Sequence, residues 1–134
     1  MSTITATQDE LVADISVNEL NPCVISGTLL DQSGTAVALA SVSSLVCTLY
    51  DHRADSIINS RNAQSILNTN GGTLHATSGA FTLTLSSDDN VIVSSTLSPG
   101  RQETHYALLE ATWSGGGYWS GLVRIRVRQV HRAP

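Results

Sequence analysis

The stretch Val42–Leu85 decides the fold of this chain. It reads VSSLVCTLY (42–50), DHRAD (51–55), SIINSRNAQSILN (56–68), TNGG (69–72) and TLHATSGAFTLTL (73–85). This order predicts a strand, a charged turn, a short returning strand, an insert of different character, a glycine turn and a hairpin. The remaining segments are typical of strands added around this centre.

Alternation of apolar residues marks the two longest strands of this stretch. A strand exposes alternate residues on opposite faces, so a wholly apolar set at every second position predicts the face that lies on the core. The residues predicted to face the core are Leu45, Cys47 and Leu49 in the first strand, and Phe81, Leu83 and Leu85 in the last.

The insert between them has a different spacing. Ala63, Ile66 and Leu67 stand at i, i+3 and i+4, which is the spacing of one helical face. Ser60 is a candidate N-cap, and the turn residues Asn68–Gly72 follow the segment. The pattern predicts one or two helical turns within Ser60–Leu67.

The rest of the chain adds further short strands. They are predicted at Asp14–Val17, Cys23–Leu30, His105–Trp113 and Tyr118–Val130. Turn residues separate the segments about every 8–12 residues, which predicts an all-β, antiparallel sandwich with a short helical insert. A closed β-barrel is the competing architecture. The chain lacks the Cys…Trp…Cys spacing of antibody domains, so "immunoglobulin-like" describes architecture only.

Length and composition suit one domain. The chain has 134 residues, a net charge of −4 and 13% charged residues. We expect a flexible N-terminal arm or an added edge segment at 1–14, the sandwich at 15–130 and a C-terminal tail at 131–134. No secretory signal and no apolar run of about 18 residues is visible, which predicts a chain made in a cytosol with no membrane contact.

No set of residues predicts catalysis, a cofactor or a metal. The four histidines are scattered and are expected at the surface or at strand edges: His52, His75, His105 and His131. Asp88 and Asp89 are expected to cap a short helical turn rather than to bind a cation. Cys23 and Cys47 are expected as buried thiols, with a disulfide as the alternative.

The last strand carries the candidate interface. Arg124, Arg126 and Arg128 alternate with the apolar residues that face inward, and Arg132 follows. Pairing with acidic residues of a neighbouring strand or subunit, a solvated face and phosphate contact are the three interpretations; the negative net charge argues against DNA. Tyr118 and Trp119 indicate either core packing or an interface patch.

Several segments together resemble a known group of proteins. LVCTLYD, IINSRNAQSILN, NGG, GAFTLTLSSDDNVIV and HYALLEATWSGG are similar to segments of small immunoglobulin-like virion proteins of tailed bacteriophages. The resemblance covers roughly Val24–Val130. It rests on turn and core residues, so it bears on fold and context more than on role.

The resemblance implies a structural protein of the virion. Such domains lie at the neck or collar, at the head–tail junction, on the capsid as decorations, or on the baseplate. It implies portal, adaptor, capsid or tail subunits and copies of this chain as partners, without enzymatic activity. A carbohydrate-binding sandwich is the alternative of another class, with Trp113, Tyr118 and Trp119 as stacking residues.

Overall fold

The computed structural model describes residues 3–4, 10–31, 33–53, 55–93 and 102–130 of the chain. Within these residues there is one short 3-10 turn, Leu39–Ser41, and the rest of the regular structure is strand. The strands are β1 (Thr3–Ile4), β2 (Glu10–Asn18), β3 (Cys23–Thr28), β4 (Val42–Asp51), β5 (Gln64–Ser65), β6 (Gly72–Leu74), β7 (Ala80–Leu85), β8 (Gln102–Trp113) and β9 (Gly117–Arg128).

The strands form two sheets that pack face to face. One sheet has the order β1-β3-β7-β6 and the other has the order β2-β9-β8-β4-β5. Phe81 of the first sheet and Trp119 of the second place their ring centroids 6.3 Å apart in the space between the sheets. The predicted all-β sandwich is therefore confirmed.

Most neighbouring strands are antiparallel, but two pairs are parallel. β1 runs parallel to β3, and β2 runs parallel to β9 over Glu10–Asn18. Antiparallel neighbours usually arise from hairpins, whereas β2 and β9 are far apart in the sequence and no tight turn sets their relative direction. The purely antiparallel sandwich expected from the sequence is corrected at these two pairs.

The predicted core faces are confirmed. The alternating residues of β4, β7 and β9 that the sequence points inward are all buried, and the residues between them are more exposed. The buried core residues of these three strands are Leu45, Cys47, Leu49, Phe81, Leu83, Leu85, Trp119, Val123, Ile125 and Val127.

The helical insert predicted at Ser60–Leu67 is wrong. Backbone φ is positive at Ser60 (59°) and at Ala63 (49°), which a right-handed helix does not allow. The segment instead runs beside β4: Leu49 donates its N–H to the Arg61 carbonyl, and Ile66 donates to the Leu45 carbonyl. Ile66 is buried in the core and Leu67 packs against it half-buried, whereas Ala63 is exposed, so the three residues do not share one helical face.

Part of the N-terminal segment is an added edge strand, which was one of the two expectations for 1–14, although the sandwich was expected to begin only at residue 15. β2 begins at Glu10 and pairs with β9 from Gly121 onward, so 10–14 belongs to the larger sheet. The open edge of β9 accounts for this, since a strand laid along it satisfies the backbone groups of both strands. Residues 1–2, 5–9 and the tail at 131–134 lie outside the described residues.

A buried ion pair connects the insert at 60–67 with the turn that follows β7. Arg61 Nε lies 2.7 Å from Asp89 Oδ1, and its Nη2 donates to Asp89 Oδ2 at 3.1 Å. Asn59 and the Ser86 N–H also donate to this carboxylate, which is fully buried. The expected helix cap at Asp88-Asp89 is wrong, because 87–90 forms a turn and not a helix.

The ion pair predicts a large stability effect for Asp89→Asn. The change leaves the Arg61 guanidinium buried without its counter-charge, which typically costs about 3–5 kcal/mol. Urea denaturation should show this loss in the free energy of unfolding. The neighbouring exposed Asp88→Asn is the matched control and should change that free energy by no more than about 0.5 kcal/mol.

The same pair predicts a pH dependence. Burial alone would raise the pKa of Asp89, but hydrogen bonds from Arg61, Asn59 and Ser86 outweigh it and hold the pKa below its ordinary value. The stabilisation is complete above the unfolded pKa of about 3.9 and is lost as the pH falls through the lower folded pKa. Equal acid sensitivity in Asp89→Asn and the unaltered protein would contradict this assignment.

Candidate functional site

The outer face of the larger sheet carries the arginine row expected from the sequence. β9 alternates, so Arg124 and Arg126 point away from the core and are half-exposed. Asp14 of β2 stands opposite Arg124, and its Oδ2 lies 2.6 Å from Arg124 Nη2 and 3.2 Å from Arg126 Nη2. Pairing with an acidic residue of a neighbouring strand is therefore confirmed.

This ion pair is the first part of a longer row. Across the sheet, Arg124 stands opposite Tyr106, and Tyr106 stands opposite Tyr50. The two tyrosine rings are 5.8 Å apart, and the His52 ring packs edge-on against Tyr106 at 5.2 Å. We call Asp14, Arg124, Arg126, Tyr106 and Tyr50 the outer row.

Electrostatics hold the outer row in place. The hydrogen bond from Arg124 lowers the pKa of the Asp14 carboxyl, and the same bond raises the pKa of Arg124. Partial burial raises the pKa of Tyr50, with Tyr106 and Asp55 adding to the effect. Side chains restrained in this way lose less conformational freedom when they contact another surface.

The five interface candidates do not form one patch. Arg128 is exposed at the end of β9, beside a hollow of about 260 Å³ lined also by Ser16, Asn18 and Gln102. Tyr118 lies near the start of the same strand, about 33 Å away at the usual rise of a strand. Tyr118 is 43% exposed, and its hydroxyl donates to Glu110 Oε2 at 3.1 Å.

The prediction of Trp119 as an interface or sugar-stacking residue is wrong. The residue is only 1% exposed and packs in the core against Phe81. The sequence contained the signal, because Trp119 stands at the same alternate positions as Val123, Ile125 and Val127. Arg132 and His131 lie outside the described residues.

A cleft opens at the turn between β8 and β9. Its volume is about 430 Å³, and Trp113 and Tyr118 form two of its walls, with Asp31 and Ser33 opposite. The Trp113 indole lies where a side chain at Gly117 would begin, so only glycine permits this indole position. Asp31 is engaged within its own turn, since its Oδ1 accepts from the Ser33 and Thr35 N–H groups.

A second polar cluster lies inside the sandwich and was missed by the sequence analysis. Asp51, Glu103 and His105 are 3%, 3% and 0% exposed. His105 Nε2 lies 2.6 Å from Glu103 Oε2, and Asp51 stands opposite His105 in the pairing of β4 with β8. The surface or edge position expected for His105 is therefore wrong, while the exposed positions of His52 and His75 are confirmed.

The sequence feature that could have revealed this cluster is the alternation of inward and outward residues along β4 and β8. Asp51 continues the inward positions of Leu45, Cys47 and Leu49, and Glu103 and His105 continue those of Ala107 and Leu109. Polar residues at inward positions near a strand end resemble the start of a turn, so their burial is not evident from the sequence.

Both cysteines are free thiols, as the preferred interpretation expected. Cys47 is completely buried, and this burial raises the pKa of its thiol to about 12. Burial also raises the pKa of the half-buried Cys23. Because thiolate is the reactive form, neither thiol is activated for nucleophilic chemistry at neutral pH.

Comparison of the chain with protein-family models, with curated proteins and with solved structures finds no match. Within the part of the chain that the structure describes, no helix is long and apolar enough to cross a membrane.

The positions of Trp119 and Tyr118 predict opposite outcomes for adjacent aromatic residues. Trp119→Ala should lower the free energy of unfolding by about 3–5 kcal/mol, because it empties a large core volume. Tyr118→Ala, the matched control, should stay within about 0.5 kcal/mol, as exposed substitutions do. Chemical denaturation measures both values, and similar losses in the two variants would contradict the assigned orientation of β9.

Proposed function

We propose that this chain is a non-enzymatic structural protein of a tailed-phage virion, at the neck or collar around the head–tail junction. It acts through contacts with copies of itself and with portal, adaptor, capsid or tail subunits. It is made in the host cytoplasm and resides in the particle. A capsid decoration protein and a baseplate attachment domain are the alternatives within this class.

The proposal includes an immunoglobulin-like topology, which the strand order supports. That fold has strands ABED in one sheet and GFC in the other, and variable-type domains add C′ beside C. Assigning A to β1 and B to β3, and continuing in chain order, reproduces A-B-E-D and G-F-C-C′, with β2 added beside G. The parallel pairing of β1 with β3 is a departure within this scheme.

The observation that carries the proposed role is the outer row. Arginine and tyrosine are enriched at the centres of protein interfaces, and here they lie side by side on a broad sheet. The row also presents Arg124 and Arg126 in arrangements already restrained by Asp14. A surface of this kind can be buried against a neighbour at a small entropic cost.

Charge supports a neighbour of the same kind. Two guanidinium groups against one carboxylate leave the outer row with one positive charge, whereas the whole chain carries −4. The row therefore complements an acidic surface elsewhere on another copy. Contact between different patches of identical subunits forms a ring when the rotation between neighbours closes, and a ring is the symmetry of a collar. DNA is not a partner in this proposal, because the chain carries a net charge of −4.

The proposal predicts loss of assembly in Arg126→Glu. The reversed charge faces Asp14 and removes the cation from the interface, so we expect association weakened by about tenfold or more. Sedimentation of the purified chain and its incorporation into particles measure the effect. Thr77→Glu places a new carboxylate on the exposed turn between β6 and β7 of the other sheet and should assemble normally.

Two results would contradict this function. One is the absence of the chain from clean virions by mass spectrometry. The other is normal assembly of Arg126→Glu with an unaltered unfolding transition.

The cleft favours a second candidate, a carbohydrate-binding module. Trp113 and Tyr118 line it together, and exposed aromatic rings can stack on sugar rings. Glycan-array screening should then show binding that Tyr118→Ala removes and Tyr118→Phe, which keeps the ring, retains. Absence of binding to every glycan tested, or equal binding by Tyr118→Ala, would reject this candidate.

A further inference from the structure

The buried cluster at the end of the inward face has the composition of a metal site. β4 ends at Asp51 and β8 brings Glu103 and His105 beside it, because residues two apart on a strand share one face. Asp51, Glu103 and His105 each offer one ligand atom, and these atoms lie within 4.8 Å of one another.

We propose that Asp51, Glu103 and His105 together bind one divalent transition-metal ion, with Zn²⁺ as the best match, which joins β4 to β8. Ligand atoms around one zinc ion at bond lengths of about 2.0–2.2 Å are separated by roughly 3–4 Å. The observed spacing needs only small side-chain rotations to reach that arrangement.

The imidazole of His105 gives independent support. His105 Nε2 lies 2.6 Å from Glu103 Oε2, so the imidazole and one of the carboxyl groups already meet at the cluster. Nδ1 is fully buried and has no hydrogen-bond partner among the described residues. A buried imidazole with one nitrogen unpartnered is costly, and such a side chain in a cluster of possible ligand atoms points to a missing partner.

Glu103 is itself positioned, because its Oε2 also accepts the Val93 N–H at 2.7 Å. Hydrogen bonding from two sides therefore fixes where this carboxylate stands before any ion arrives.

Charge and ligand type favour a zinc-like ion. Two carboxyl groups lie inside the sandwich within reach of one ion, and carboxylate oxygens are ligands that divalent ions accept. A mixed imidazole and carboxylate set suits Zn²⁺, whereas Ca²⁺ takes about 6–8 oxygen ligands, more than this cluster provides. The ion stabilises the contact between β4 and β8, and this role does not depend on the assembly contacts proposed for the outer row.

The test uses the full chain after treatment with a chelator and refolding with or without Zn²⁺, since a buried site is filled most readily during folding. Native mass spectrometry should show one zinc ion per chain, and the melting temperature should rise with the zinc concentration. Co²⁺ in place of Zn²⁺ should give visible absorption of a tetrahedral site. A chain that refolds without retaining either ion overturns the proposal.

Variants assign the ligands. Asp51→Asn, Glu103→Gln and His105→Gln each remove one ligand and should each lose stoichiometric zinc. His75→Gln removes an exposed histidine from the other sheet and should bind zinc like the unaltered chain. Equal zinc retention in His105→Gln, or equal loss in His75→Gln, overturns the assignment, and the titration of the unaltered chain decides the case if a variant fails to fold.

Discussion

The register that joins β4, β8 and β9 is the constraint on which the rest of the structure depends. It sets Ala111 between Leu45 and Trp119, and it sets Ala107 between Leu49 and Val123. The small residues of the central strand leave the volume that the indole and its neighbours fill. A slip of one residue would turn the arginines of β9 inward and Trp119 outward, so packing and surface are specified by the same pairing.

The same register explains why polar residues lie inside the sandwich. Once Leu49 and Ala107 face the core, the next inward positions are Asp51 and His105, whatever their polarity. The strands extend far enough to bury them, and the segment that carries Val93 covers Glu103 from the other side. Burial is here a consequence of strand length and register, and Glu103 and His105 pair with each other within it.

Much of the core could be predicted from the sequence, because apolar alternation in β4, β7 and β9 is strict. The irregular insert and the edge strand β2 could not be predicted in this way. Ala63 and Ile66 have the spacing of a helix, but the backbone between Ser60 and Leu67 adopts left-handed conformations at Ser60 and Ala63. Serine and alanine rarely adopt such conformations, so the sequence does not indicate them. The parallel partner of β2 is more than a hundred residues away in the chain, so it has no local signal. Only part of the outer row could be predicted from the sequence. Its arginines alternate along one strand, but its tyrosines come from two other strands, and the sequence does not show that these strands are neighbours.

The parallel pairing of β2 with β9 also has a mechanical meaning. Tension applied through the chain before Glu10 and after Arg128 would pull these two strands past each other along their length. The paired residues from Glu10–Gly121 to Asn18–Arg128 would then carry the load together, in shear, instead of opening one at a time like a zipper. A domain connected in this way is strongest along its own strand axis, and its hydrogen bonds give way together.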